Sequence, residues 1–373
     1  IVDENNLLKK QTSSSKTWVM FYSVFKKGIK IAYSTDNGKS WNNSENTPSI
    51  PNLDPESRDP KVFWYEPTKT WVMLIYRKPG SDEFEKGFSI YNSKDLIHWE
   101  YKSHITGFYE SPDLFQLPLN NRKNDLHWVL TGGNGNYQIG TFNGETFTPE
   151  TAELKFEYGK NFYSPLTWRT SDDKIIQIAS LRGAIYPDMP FTGQMSFPCE
   201  LSLQKFTEGM RLCRKPVNDI ELLHDNVYEW KEKNIYPGLN KNILSGLEGD
   251  CFHILVSFNI KSSDTFGLLL RKGKEGMGTE IIYSVSNKVL SCMNQNVYME
   301  PNDGNINLDI IVDRSSIEIF SADGKISITN NFNPEPKEKK MMLFTIGGEV
   351  MVNSLKVYRM NSMYDPLKKI KKK

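Results

Sequence analysis

Short apolar runs of strand type punctuate this chain from end to end, and no stretch carries the 3.6-residue period of an amphipathic helix. The runs fall into two regimes. In the first, Trp18-Val19-Met20, Trp71-Val72-Met73 and Trp128-Val129-Leu130 recur in phase with a second series. There Arg58-Asp59-Pro60-Lys61-Val62-Phe63-Trp64 aligns with Glu110-Ser111-Pro112-Asp113-Leu114-Phe115-Gln116 and with Tyr163-Ser164-Pro165-Leu166-Thr167-Trp168. A third series, Ser34 to Trp41 and Ser93 to Trp99, places a Trp after an Asp-containing turn, which suits a hairpin between two outer strands. A unit of about 53 residues built from several short strands fits one four-stranded blade of a β-propeller, and residues 1–214 have room for roughly four. The first unit lacks a proline opening like the others, as if the chain began after the start of a blade.

The second regime runs from about Val227 to Tyr358. Alternating strands are expected at Phe252–Phe258, Gly267–Arg271, Glu280–Val285, Leu308–Val312, Ser316–Phe320 and Met341–Thr345, with turns such as Ala322-Asp323-Gly324 between them. Strands at this spacing indicate an antiparallel β-sandwich. The expected organisation is an all-β chain with a propeller domain over 1–214, a connecting segment over 215–226, a sandwich over 227–362 and a basic tail over 363–373.

Length agrees, since 373 residues predict two domains. Lys and Arg total 46 against 45 Asp and Glu, so the net charge of +1 offers no general field for nucleic acid, and none is expected as a partner. The tail Lys368 to Lys373 reads as a solvated charge block. No run reaches the ~18 apolar residues of a membrane span. Ile1 to Asn6 carry neither a basic n-region nor an apolar core, which reads as a processed or truncated start. Cys199, Cys213, Cys251 and Cys292 lie far apart, without the close Cys/His pairs of metal sites, so free or buried thiols are expected, with no metal and no cofactor.

The opening strand of a propeller blade faces the central channel, so equivalent positions from different blades converge. Just before the repeated proline the residues differ: Arg58 and Asp59, then Glu110 and Ser111, then Tyr163 and Ser164. Two acids on neighbouring openings, one beside an Arg, are the equipment for glycoside cleavage, which uses a proton donor and a second carboxylate. Spacing alone equally admits a structural ion pair between Arg58 and Asp59, with Glu110 merely ending a strand.

These stretches, together with Asn161-Phe162-Tyr163-Ser164-Pro165, Met189 to Leu201 and Val312 to Phe320, resemble glycoside hydrolase family 32, which includes invertases, inulinases and levanases. Met189 to Leu201 looks more like the bacterial levanases and inulinases. The resemblance implies a five-bladed propeller followed by a β-sandwich, and a retaining double displacement on β-linked fructosides such as levan, inulin or sucrose. Glu110 would be the general acid/base, its pKa raised by neighbouring carboxylates. Asp59 would stabilise the transition state and, with Arg58, bind fructose hydroxyls. Asn161 and Tyr163 would contact substrate. Trp64 or Trp168 could stack on a sugar face, although both also suit the propeller core.

The chain departs from the family pattern in places. The nucleophile motif of the family, Trp-x-Asn-Asp-Pro-Asn-Gly, is not found among these residues. The expectation is a chain in which the first blade is missing or incomplete, through truncation, gene decay or supply by a separate chain, so that it alone would not form the fructosyl-enzyme. Ser111 stands for the family's Cys, Asn161 for an Asp, Cys199 for an Arg and Ser180 for a Trp. A non-catalytic fructan-binding protein of the same fold is the alternative. Sialidases would need three convergent arginines and only Arg58 has such a place; family 43 enzymes would not explain Val312 to Phe320. Digestion of a polymer would suit a secreted or periplasmic site.

Overall fold

The computed structural model describes residues 1–12, 15–45, 49–78, 85–187, 189–238, 242–272 and 278–363. The Lys368 to Lys373 tail lies outside them. Its Cα framework divides into two compact units, one of Ile1–Lys155 with Ser164–Thr167 and Lys205–Met210, the other of Phe156–Tyr163, Trp168–Gln204 and the chain from Arg211 onward.

Four antiparallel sheets follow one another along the first 216 residues, each with its strands side by side in chain order. The first holds β1 (Val2–Asp3), β2 (Thr17–Val24), β3 (Gly28–Ser34) and β4 (Asn42–Asn43). In the second are β5 (Arg58–Tyr65), β6 (Thr70–Arg77), β7 (Gly87–Ser93) and β8 (Glu100–Thr106). The third comprises β9 (Asp113–Pro118), β10 (Leu126–Thr131), β11 (Asn136–Phe142) and β12 (Phe147–Pro149), with β13 (Leu154–Lys155) also paired to β11. The fourth is β14 (Phe162–Arg169), β15 (Ile175–Leu181), β16 (Cys199–Phe206) and β17 (Gly209–Pro216). This meander, repeated once per period, is the blade pattern read from the repeat.

Strand β6 shows why such sheets stack. All eight of its residues are buried, which a strand with one solvated face does not allow. Val72, Leu74 and Tyr76 point into a core shared with Phe88, Leu114, Leu130 and Phe142. The alternate residues Met73 and Ile75 enter a second core with Ile29 and Ile50 of the first sheet region. The period-2 alternation of a strand thus feeds two cores, one on each face. The recurring turns also match: Trp41 and Trp99 donate their ring N–H to the carbonyls of Gly38 and Leu96, each at 3.1 Å, while Asp36 and Asp95 accept the amides that close each turn.

The segment 215–226 is not bare linker. It carries the end of β17, a 3-10 helix at Asn218–Leu223 with Ile220 buried, and the start of β18 (His224–Ile235). Ten further strands follow: β19 (Phe252–Asn259), β20 (Thr265–Lys272), β21 (Thr279–Ser284), β22 (Val289–Cys292), β23 (Gln295–Tyr298), β24 (Asn305–Val312), β25 (Ser316–Ser321), β26 (Ser327–Asn331), β27 (Lys340–Ile346) and β28 (Val350–Met360). They form a six-stranded sheet, β18-β28-β19-β24-β25-β26, and a five-stranded one, β23-β22-β21-β20-β27. Phe252, Ile254, Val256 and Phe258 from the first and Phe266, Leu268 and Leu270 from the second meet in one core, which is the sandwich expected from the alternation. Each of the six strands read from the sequence here is present, five of them extended by one to three residues and the Glu280–Val285 strand shifted by one to Thr279–Ser284.

All four cysteines are free. Cys199, Cys213 and Cys292 are buried and Cys251 is half-buried, and burial pushes the Cys213, Cys251 and Cys292 thiols up to about 12. No helix among the described residues is long and apolar enough to cross a membrane.

Candidate active site

The residues just before the repeated proline share an unusual backbone. Asp59, Ser111 and Ser164 have φ of 59°, 47° and 54°, and Glu110 has 47°. Left-handed backbone is uncommon outside glycine, and a following proline restricts it further. The strain is compensated by bonds that link one blade opening to the next. Asp59 donates its N–H to Ser23 Oγ at 2.9 Å. Ser111 donates its N–H to Asp59 Oδ2 at 3.1 Å, and the Ser111 and Ser164 hydroxyls bond each other. Between β5 and β6 the register shifts from Arg58 to Lys61, a bulge that re-aims the side chains at the strand's start. Gly133 completes the line: its N–H reaches the Tyr109 carbonyl at 2.8 Å and its carbonyl accepts the Ser164 N–H at 2.7 Å. A Cβ on Gly133 would sit 3.0 Å from that Tyr109 oxygen.

On this frame Arg58 gathers three carboxylates. Its Nη2 contacts Glu110 Oε1 in a close ion pair, its Nη1 lies 3.3 Å from Glu56 Oε2, and its Nε is 3.9 Å from Asp59 Oδ2. The guanidinium lies over the Tyr76 ring, 4.8 Å from its centroid. Burial works against the Arg58 charge, yet the hydrogen bond and charge of Glu110, then the charge of Asp59, outweigh it and hold the group more firmly protonated than usual. The Asp59 carboxyl is pushed up, first by burial and then by the Glu110 charge, against the Ser111 N–H and Arg58, which pull it down. Burial and a neighbouring carboxylate thus act together on the Asp59 carboxyl. The structure therefore brings Arg58, Asp59 and Glu110 into one cluster.

A second pair joins the same two repeats. Lys61 and Asp113 occupy the same place in successive repeats, one residue after the proline, and Lys61 Nζ is 2.9 Å from Asp113 Oδ1. The Asp113 side chain is fully buried; its Oδ2 accepts the Thr167 N–H at 2.7 Å, and Lys61 Nζ donates to the Thr167 carbonyl at 2.8 Å. Opposite charges at one repeat position were the signal for this pair. Glu56 precedes the repeated stretch and had no such signal.

Asn161 and Tyr163 belong to the other compact unit. Asn161 is buried and spends its amide on backbone, donating to the Arg182 carbonyl at 2.9 Å and accepting the Asn331 N–H at 2.9 Å. Tyr163 lies under the Arg182 guanidinium, 4.2 Å from its ring centroid. Its hydroxyl is buried with no hydrogen-bond partner among the described residues. Ser180 donates its hydroxyl to the Tyr163 carbonyl at 3.0 Å. Cys199 is packed in a small core with Ile220 and Phe320. Trp64 packs edge-on against Trp71 and is partly buried at the margin of a core, whereas Trp168 is 46% exposed.

Comparison with known proteins fits this geometry into a family. Residues 6–216 match the model of the glycosyl hydrolases family 32 N-terminal domain, and residues 219–359 match that of the family's C-terminal domain. The levanase of Bacillus subtilis (strain 168) is 32% identical over 99% of this chain and 60% of its own length. A levanase of Bacillus sp. (strain L7) is 28% identical over 90% of the chain and 41% of its own length. The chain thus spans about half the length of these relatives. The crystal structure of exo-inulinase from Aspergillus awamori superposes with a TM-score of 0.86 at 22% identity, covering 97% of this chain and 83% of that one, which shows a shared fold of N-terminal β-propeller and C-terminal β-sandwich. With both family domains matched in order along nearly its whole length, the chain belongs to glycosyl hydrolases family 32.

Proposed function

We propose that this chain carries the acid/base and transition-state-stabilising groups of a β-fructosidase acting on levan, inulin or sucrose-type substrates by a retaining mechanism. The single observation that carries the reading is the meeting of Asp59 and Glu110 around Arg58, on strained openings of successive blades. Strain held in place by cross-blade hydrogen bonds is what a preorganised site requires.

In this reading Glu110 protonates the leaving oxygen and later takes a proton from water. The Arg58 contact has to open first, and Arg58 then swings its charge to Asp59 and to the fructose hydroxyls. Asp59, fixed by the Ser111 N–H, hydrogen-bonds two hydroxyls of the ring as positive charge develops on it. Closing the cycle requires a carboxylate nucleophile, and the family's motif for it is not found within these 373 residues.

The experiment is a binding titration with a fructosyl trisaccharide, by calorimetry, on the unaltered chain and on Asp59→Asn. Specific binding weakened tenfold or more in the variant supports the reading, at the roughly 1.5–3 kcal/mol of a hydrogen bond to a charged group. A chain that binds no fructoside at all refutes it. The second reading, a fructan-binding protein without turnover, is favoured by the Arg58–Glu110 pair, which occupies the acid in the resting site; tight binding with no release of fructose in any setting distinguishes it.

A further inference from the structure

The second unit contains an open trough of about 660 Å³ formed by the turn after β22, the start of β21, the loop around Gly183 and residues 160–161 and 330–331. That volume lies within the ~300–1,000 Å³ of small-molecule sites. Its inner wall is fixed by amides already in use. Asn330 Oδ1 accepts the Lys160 N–H at 2.8 Å, Asn331 Oδ1 accepts the Ile185 N–H at 3.1 Å, and Asn161 holds Asn331. A wall tied down in this way loses little freedom when something binds.

The rim has unused polar capacity. The Lys160 ammonium, the Glu280 carboxylate and the Thr279 hydroxyl line the trough, and none has a side-chain hydrogen bond or ion pair among the described residues. Asn296 accepts from Ser291 Oγ at 2.6 Å, and its NH2 has no partner among the described residues. Amides and hydroxyls both donate and accept, which matches the hydroxyls of a sugar. One cation and one anion balance, so the trough does not select an ion. Ile185 and Met293, 66% and 40% exposed, present apolar surface beside these groups, suited to the C–H face of a sugar ring. The neutral, amide-rich lining around about 660 Å³ exceeds what one monosaccharide needs.

We infer that this trough is a second carbohydrate site, which holds fructosyl units of a fructan chain. The identity of the ligand rests on the β-fructosidase reading; the location rests on residues that take no part in the Arg58–Glu110 cluster.

The test uses Glu110→Gln throughout, so that nothing is consumed, with Asn296→Ala and Thr279→Trp added separately. The first removes a free donor at an exposed position and the second fills the trough; thermal melts by circular dichroism establish that each is folded. Retardation in native gels containing levan should require about fivefold more polymer in both variants, the effect of losing one neutral hydrogen bond or more. Calorimetric affinity for the fructosyl trisaccharide should stay within twofold. Unchanged levan retardation in both folded variants, with the trisaccharide still bound, overturns this inference alone. Failure of the parent protein to bind either ligand overturns it together with the fructosidase reading.

Discussion

Ser111 holds Asp59: the backbone N–H of the residue before the second repeated proline reaches the carboxylate of the residue before the first, 3.1 Å away. Both residues have left-handed backbone, so neither carboxylate nor amide could take this position from an ordinary extended strand. The bond joins two blades at the point where their acids converge. It also explains how a Ser can stand beside Glu110: its amide fixes Asp59 and its hydroxyl fixes Ser164.

Substitution at Ser164 separates the two parts of this arrangement. Ser164→Ala loses the hydroxyl pair with Ser111 and should cost about 1 kcal/mol in urea unfolding. Ser164→Val keeps no hydroxyl and forces a β-branched residue into left-handed backbone, adding roughly 1–2 kcal/mol. Equal stabilities for the two variants would contradict the strained geometry.

The Lys61–Asp113 pair should be structural in its energetics. Asp113→Ala leaves a largely buried ammonium unpaired and frees the Thr167 N–H, with an expected loss of about 3–5 kcal/mol. Replacing both partners, Lys61→Met with Asp113→Leu, should recover part of that loss in the same unfolding assay, because no buried charge then remains.

Asp59 should titrate above an ordinary aspartate. Its pKa is raised in the folded chain, so its contribution to stability is full below the unfolded value near 3.9 and is lost as pH rises through the folded pKa. Carboxyl NMR titration should show the Asp59 midpoint fall in Glu110→Gln, which removes a like charge, and rise in Arg58→Gln, which removes an opposite one. Movement in the reverse directions would show that these two groups do not set it.

A similar argument applies within the second unit. Glu318 is buried against Arg214, with 3.5 Å between Oε2 and Nη2. Burial first, and then the Glu157 charge, push it up to about 7, although Arg214 and the Phe197 N–H oppose the shift. Stability from this group is complete below about 4.5, declines as pH rises from there and is lost once pH passes about 7. The slope of melting temperature between pH 5 and 8 should therefore flatten in Glu318→Gln.

The fold was legible because both regimes left a periodic trace. A repeat that places Trp, Pro and an Asp turn in phase every ~53 residues can only stack as blades, and the alternation at Phe252–Phe258 can only face a second sheet. The meeting of Arg58, Asp59 and Glu110 was legible because charged residues varied there on a constant frame. The Lys61–Asp113 pair was overlooked although it obeys the same logic, since a charge after the proline reads as solvated until burial is known. Asn161 shows the converse: an amide expected at the substrate is occupied by backbone 21 and 170 residues away, a partnership no local pattern encodes.

Release of fructose tests the central claim most directly. The chain is assayed on levan, inulin and sucrose alone and when supplied with a blade segment carrying the Trp-x-Asn-Asp-Pro-Asn-Gly motif, each beside Glu110→Gln. The account predicts release with the segment present and a fall of ~10²-fold or more in Glu110→Gln. Release that persists undiminished in Glu110→Gln would contradict it.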